Sequence, residues 1–309
     1  MNTALHQDFY VFATVVTAIF LEAAPFLLLG ALVSSLLEVY CPPERIGNFV
    51  PQGRITGVLF GLVAGMLLPT CECGVVPIVR RLLLKKVPSH AAITYMLAAP
   101  VINPIVLAST YVAFRGDIRM VLGRVGLVAL TAITVGLTLG RINQFLVLPQ
   151  GEASDMNHQQ DSVGCDCGVD HGGDSQPRLI GALAHAAWEF LDMGKYLILG
   201  CFAAGIIKTF LPDTFLAVFE NNLFLAVGGM MLLAVIVSVC SEADSFVAAS
   251  FWSFPKAAQL SFVAIGPMVD LKLIMMYAGV FQRRVVLILI VVPTLIIYLA
   301  SILLGTIVG

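Results

Sequence analysis

Nearly uncharged runs long enough to cross a bilayer follow one another along this chain. Phe9 to Leu37 holds a single charge, Glu22, and Val285 to Val308 holds none, while about 20 apolar residues suffice to cross the hydrocarbon. The 309 residues are 59% hydrophobic and 12% charged, far more apolar than a soluble domain of this size. A membrane is the expected solvent. Met1 to Asp8 lacks the Lys or Arg of a secretory leader and the first apolar run exceeds a leader's length, so that run is expected to remain as a span. With 17 basic and 19 acidic residues there is no basic surplus for nucleic acid, and none is expected as a partner.

Apolar segments run from about Phe9 to Tyr40, Ile55 to Leu84, Ala91 to Phe114, Val121 to Leu148, Leu179 to Leu211, Phe215 to Cys240, Ala257 to Phe281 and Val285 to Val308. The predicted fold is an all-α polytopic membrane protein of about eight transmembrane helices, some broken or re-entrant. Pro149 to Pro177 interrupts them with Glu152, Asp155, Asp161, Asp166, Asp170 and Asp174 and no basic residue, which reads as a disordered acidic linker.

The segments on either side of the linker correspond. Phe20-Leu21-Glu22 matches Phe190-Leu191-Asp192, and in that register Gly30 falls on Gly200, Pro42 on Pro212 and Phe49 on Phe219. With small gaps Cys71 meets Cys240, and Ala99-Pro100-Val101-Ile102-Asn103 meets Gly266-Pro267-Met268-Val269-Asp270. Three regions result: a first transmembrane repeat over 1–148, the linker over 149–178 and a second repeat over 179–309. Pseudo-symmetric halves interrupted at corresponding places are the pattern of a secondary transporter with its site where the halves meet; duplication kept only for folding is the alternative. Whether the repeats are parallel or inverted stays open at this stage. Arg80, Arg81, Lys85 and Lys86 mark one loop and Arg115, Arg119 and Arg124 are read as marking the next. A hairpin in Ile55 to Leu84, turning at Cys71 to Gly74, would put Arg45 and Arg54 on the same face as Arg80 to Lys86.

The sharpest local signal is Pro69-Thr70-Cys71-Glu72-Cys73-Gly74-Val75-Val76-Pro77. Pro69 and Pro77 remove backbone donors and Gly74 permits turns closed to other residues. On an ideal helix Cys71 and Cys73 point to nearly opposite sides, so they converge only where the backbone is unwound. Unwound backbone at membrane depth survives where it lines a cavity or is buried in protein, which makes Cys71 and Cys73 candidate ligands for soft ions or trivalent arsenic. Small buried core cysteines are the plain alternative.

The matching break carries Cys240, Ser241, Glu242, Asp244 and Ser245 after an uncharged run from Leu223 to Val239. Carboxylates there are costly unless paired or hydrated, and Glu242 and Asp244 could ligate a cation or exchange protons, or lie idle in an interfacial loop. Asn103 and Asp270 align as polar residues after Pro100 and Pro267; Asp270 is a proton-coupling candidate or a partner for Lys272. Glu22 and Asp192 align as well, as proton-coupling candidates or as structural pairs, Asp192 with Lys195 at i,i+3. In the linker, Cys165, Cys167 and His171, with His158 nearby, could hold a thiophilic metal loosely, although their spacing matches no defined zinc site. No Walker A or His-Glu-x-x-His sequence is present, no cofactor is expected, and ATP-driven transport would need a partner subunit.

Cys71-Glu72-Cys73-Gly74-Val75-Val76-Pro77, Leu97-Ala98-Ala99-Pro100-Val101-Ile102-Asn103-Pro104 and Glu242-Ala243-Asp244 resemble the ArsP/YraQ-like predicted permease family over nearly all the chain except the linker. The resemblance implies a multi-pass permease of the bacterial inner membrane, in a family with members associated with organoarsenical efflux and others described as copper and zinc exporters. Cys71 and Cys73 match its Cys-x-Cys-Gly element, and Pro100, Asn103 and Pro104 its Pro-x-x-Asn-Pro element. The expected function is secondary transport, not enzyme catalysis: efflux of a soft metal ion or thiophilic metalloid, with protons as counter-ion. Substrate contact is expected at Cys71, Cys73, Cys240, Glu242, Asp244, Asn103 and Asp270, and proton exchange at Glu22, Asp192, Asp244 or Asp270. The rival readings are a membrane thiol-redox protein using Cys71 and Cys73, which lacks any quinone, haem or flavin signature, and a channel or scaffold.

Overall fold

The computed structural model describes residues 2–40, 50–68, 70–140, 178–210 and 222–308. The linker with Cys165, Cys167, His158 and His171 lies outside the described residues, as do Pro42, Phe49, Pro69, Pro212, Phe219 and the side chain of Glu22. The described residues before the linker form six helices: α1 (Asn2–Tyr40), α2 (Arg54–Leu67), α3 (Glu72–Leu84), α4 (Ser89–Ala98), α5 (Pro104–Ala113) and α6 (Ile118–Leu139). Those after it form six more: α7 (Arg178–Phe210), α8 (Leu223–Val237), α9 (Asp244–Ser250), α10 (Lys256–Ile265), α11 (Leu271–Val280) and α12 (Arg283–Val308). Three described stretches are long and apolar enough to cross a membrane unbroken: Phe12–Val33, Ile118–Leu139 and Arg283–Thr306. The outer faces of α6 and α12 present Leu122, Leu130, Leu287, Leu295, Leu299 and Leu303, whereas Glu72, Arg124, Asp244, Asp270 and Lys272 are buried. This inside-out polarity suits hydrocarbon as solvent and stores the charges where they can pair.

Close approaches at glycines fix the chain direction. Gly57, Gly61 and Gly65 of α2 lie in turn against His90, Ala91 and Ala98 of α4, so α2 and α4 run the same way. The intervening α3 must therefore run back, and residues 54–84 enter and leave at one end of the molecule. This is the hairpin expected from the charge pattern, with Arg54 and Lys85–Lys86 at the same end; Arg45 lies outside the described residues. Gly136 and Gly140 near the end of α6 lie against Thr94 and His90, so α6 is antiparallel to α4. The chain through α4 and α5 thus crosses from one end to the other with a break at residues 99–103, and α6 returns.

The second half repeats the pattern. Ser261 Oγ of α10 faces the Val227 carbonyl of α8 at 3.4 Å, Gly266 lies near Ala234, and Gly305 of α12 lies against Leu223 and Ala257. Again the first short helix (α8) and the third (α10) are parallel, and the last long helix ends where they begin. Lys256 in the first turn of α10 pairs with Asp117, the N-cap of α6, and Gly123 of α6 lies against Leu260. So α10 starts at the end where α6 starts, whereas α4 starts at the end where α6 finishes. The halves are inverted, which answers the question the charge pattern left open. The helices α1 and α7 run antiparallel beside each other, with Phe12 and Phe202 ring centroids 5.8 Å apart.

Arg124 departs from the expectation that it marks a loop: it lies inside α6 and is fully buried. The unwinding is also shorter than the two prolines and Gly74 imply. Cys71 is extended (φ −74°, ψ 165°) and caps α3, while Cys73, Gly74 and Pro77 already lie within the helix. Pro77 is the sixth residue of α3, so it removes one ladder bond, to the Cys73 carbonyl, without ending the helix.

A candidate transport site at two apposed helix breaks

Four short helices begin in the interior. Cys71 caps α3, its Sγ accepting from the Gly74 amide at 3.3 Å. Asn103 caps α5, its Oδ1 accepting from the Val106 amide at 2.9 Å while its Nδ2 donates to the Ala99 carbonyl at 3.1 Å. Asp270 caps α11, accepting from the Leu273 amide at 2.6 Å. Asn103 and Asp270, aligned in sequence, thus do the same structural work: a short polar side chain satisfies an amide that the break leaves without a partner. The break before α9 is made differently. Ser238 closes α8 in the left-handed region (φ 50°), an unusual conformation for a residue with a Cβ, and its carbonyl is turned away from the helix ladder.

The two hairpin breaks meet. Ser241 Oγ donates to Glu72 Oε2 at 3.2 Å, and these residues are equivalent in the sequence alignment of the halves. Lys272 Nζ lies 2.9 Å from Glu72 Oε1, 3.2 Å from the Ser238 carbonyl and 3.4 Å from Asp270 Oδ2. Glu72 and Lys272 are each 2% exposed, so α3 of one half and α11 of the other are joined by a buried ion pair. Gly30 of α1 sits against the Gly74 backbone and Gly200 of α7 against the Lys272 backbone. The glycines matched between the halves both press on this cluster from outside.

A second cluster joins α5, α6 and α9. Arg124 donates to Asp244 Oδ2, Ser245 Oγ and Thr110 Oγ1 at 2.7 Å each and to the Ser241 carbonyl at 3.3 Å. All four side chains are buried. Buried ion pairs are costly to desolvate and depend on bonds to the remaining donors and acceptors; here two hydroxyls and a carbonyl take the terminal guanidinium nitrogens, while Arg124 Nε is left without a partner among the described residues.

The expected site residues fall into three groups. Cys71, Cys73, Cys240, Glu242, Asp244 and Asp270 gather at or beside the apposed breaks: Cys240 Sγ donates to Glu242 Oε2 at 3.4 Å, and Cys73 and Cys240 lie within electrostatic reach of Glu72 and Lys272. Asn103 stands at the separate break before α5, with its amide engaged at both ends. Asp192 lies apart, half-buried, paired with Lys195 at 2.7 Å and Arg80 at 3.2 Å. Cys71, Cys73, Cys201 and Cys240 are free thiols, and among the described residues no three His, Cys, Asp or Glu side chains converge as a preassembled metal centre.

Sequence reasoning passed over Glu72, Lys272, Arg124 and Thr110 as site residues. Glu72 was visible as a carboxylate inside the sharpest motif. Arg124 had a signal too, a cation six residues into a helix that begins at Ile118.

Two inverted halves, each with a hairpin and a broken helix whose breaks meet over buried charge, define a polytopic membrane protein of the transporter type. The chain belongs to the family described as predicted permease (ArsP_1), whose model matches residues 9–308. It is 38% identical to a Streptococcus mutans protein named "Putative two-component membrane permease complex subunit", over 93% of each chain. It is also 38% identical to UPF0718 protein YcgR of Bacillus subtilis, over 93% of this chain and 94% of that one. No solved structure matches.

Proposed function

We propose that this permease is a secondary exporter of a soft metal ion, copper or zinc, or of a thiophilic metalloid, working by alternating access between two inverted repeats over 1–148 and 179–309. The supporting observation is the apposition of the hairpin breaks, with Cys71 and Cys73 on one, Cys240 on the other, and Ser241 touching Glu72. Thiols select soft ions, and a site shared by two halves changes its exposure when one half rocks against the other. Movement between α3 and α11 opens the cluster toward one end, and movement between α5, α6 and α9 opens it toward the other. Asp244 and Asp270 exchange protons as their partners Arg124 and Lys272 move away.

Everted membrane vesicles carrying the protein are expected to accumulate one of Cu(I), Zn(II), arsenite or methylated arsenite. Cys71→Ser, Cys73→Ser and Cys240→Ser are each expected to lower that uptake severalfold. Undiminished uptake in all three variants removes the thiol mechanism.

A further inference from the structure

The ammonium of Lys272 is ringed by as many oxygens as it has N–H donors. Three oxygens from three segments face it: Glu72 Oε1 at 2.9 Å from the first half, and the Ser238 carbonyl at 3.2 Å and Asp270 Oδ2 at 3.4 Å from the second. Two are carboxylate oxygens. The third is a main-chain carbonyl aimed inward by the left-handed turn that ends α8. Carboxylates combined with carbonyls from an unwound helix end are the ligand chemistry of hard monovalent cations in membrane carriers. Asp270 Oδ2 is moreover buried without a hydrogen-bond donor, and the Asp270 side chain is 1% exposed; among the described residues its positive neighbour is the Lys272 ammonium at 3.4 Å, longer than a good hydrogen bond. The charges agree. Among the described residues, the buried charged side chains Glu72, Asp244 and Asp270 against Arg124 and Lys272 leave one negative charge over when all are ionised, and an uncompensated charge in this setting is expensive.

We propose that Glu72, Asp270 and the Ser238 carbonyl form a monovalent-cation subsite in which Lys272 serves as a tethered occupant. When the Lys272 side chain swings out of the subsite, a monovalent cation from water takes its place among the three oxygens. When the side chain returns, it displaces that cation. The permease therefore holds an inorganic monovalent ion at Glu72, Asp270 and the Ser238 carbonyl in one arm of its cycle. This rests on the apposed breaks being the transport path, but the test below uses no transported substrate, so a failed thiol mechanism and a failed subsite give separate results.

The measurement is thermal unfolding of purified Lys272→Ala in detergent, titrated with KCl, NaCl or methylammonium chloride against N-methylglucamine chloride at equal ionic strength. Removing the ammonium leaves the three oxygens free, and a ligand that binds only the folded state raises the melting temperature. The expected result is a saturable rise with KCl or NaCl in Lys272→Ala, absent in the parent and in Glu72→Gln/Lys272→Ala; a rise with methylammonium alone overturns the proposal. If Lys272→Ala cannot be recovered, Lys272→Met, which fills most of the volume but lacks the terminal ammonium, is purified in KCl and dialysed into N-methylglucamine; a fall in melting temperature is expected. No discrimination from N-methylglucamine overturns the proposal. So does an equal response in the parent or the double variant.

Discussion

At the scale of single residues, the interior is organised by charges whose partners come from far along the chain. Arg124 is the extreme case, with no exposure and bonds to Asp244, Ser245, Thr110 and the Ser241 carbonyl. Truncation strands the Asp244 carboxylate in a site built for a cation, and breaking a buried pair from one side costs about 3–5 kcal/mol. Arg124→Ala is thus expected to lower the melting temperature in detergent strongly. Arg124→Lys recovers only part of the loss, because an ammonium cannot span three side chains and a carbonyl as the guanidinium fork does; full stability of Arg124→Ala contradicts the assignment. Such pairings were hard to read from sequence. The thiols and carboxylates stood out because they interrupt apolar runs, but Lys272 and Glu72 are 200 positions apart, and spacing says nothing about such a contact. Arg124 was misread because the positive-inside pattern treats every cation near a segment end as a loop residue, whereas this one turns inward to a carboxylate of the other half.

At the scale of elements, the breaks are built with the ordinary means of ending and starting helices. Cys71, Asn103 and Asp270 are side-chain caps, and the corresponding prolines and polar residues made their positions legible. The hairpin of α2 and α3 was legible only as one possibility, in which a turn at Cys71 to Gly74 brings Arg54 and Arg80 to Lys86 to a common face. The packing of α1 and α7 against the breaks was legible only as matched glycines, with no indication of what they touch. Gly30 admits the Gly74 backbone so closely that a Cβ would stand 2.5 Å from its carbonyl oxygen, while a Cβ at Gly126 meets nothing within 4 Å. Gly30→Ala should therefore lower the melting temperature by pushing α1 off α3. Gly126→Ala should leave it unchanged or raise it, since alanine is favoured over glycine inside a helix by up to about 1 kcal/mol. Equal effects of the two substitutions contradict the close packing of α1 on the break.

At the scale of the whole molecule, the chain is two inverted halves joined across their interior by two buried clusters, Glu72–Lys272–Asp270 and Arg124–Asp244. The direction of each helix was not visible in the aligned acids, glycines and prolines, because it depends on whether each apolar run crosses or turns back. Asp117 paired with Lys256, and Gly123 against Leu260, settle the direction. The account's central claim is that the transported ion sits between the breaks. Its most direct test is the rate of maleimide alkylation at Cys71, Cys73 and Cys240, followed by mass spectrometry, with and without saturating amounts of whichever of Cu(I), Zn(II) or arsenite the vesicles accumulate. The account predicts that this ion slows alkylation at thiols of both breaks; unchanged rates at all three cysteines in its presence would contradict it.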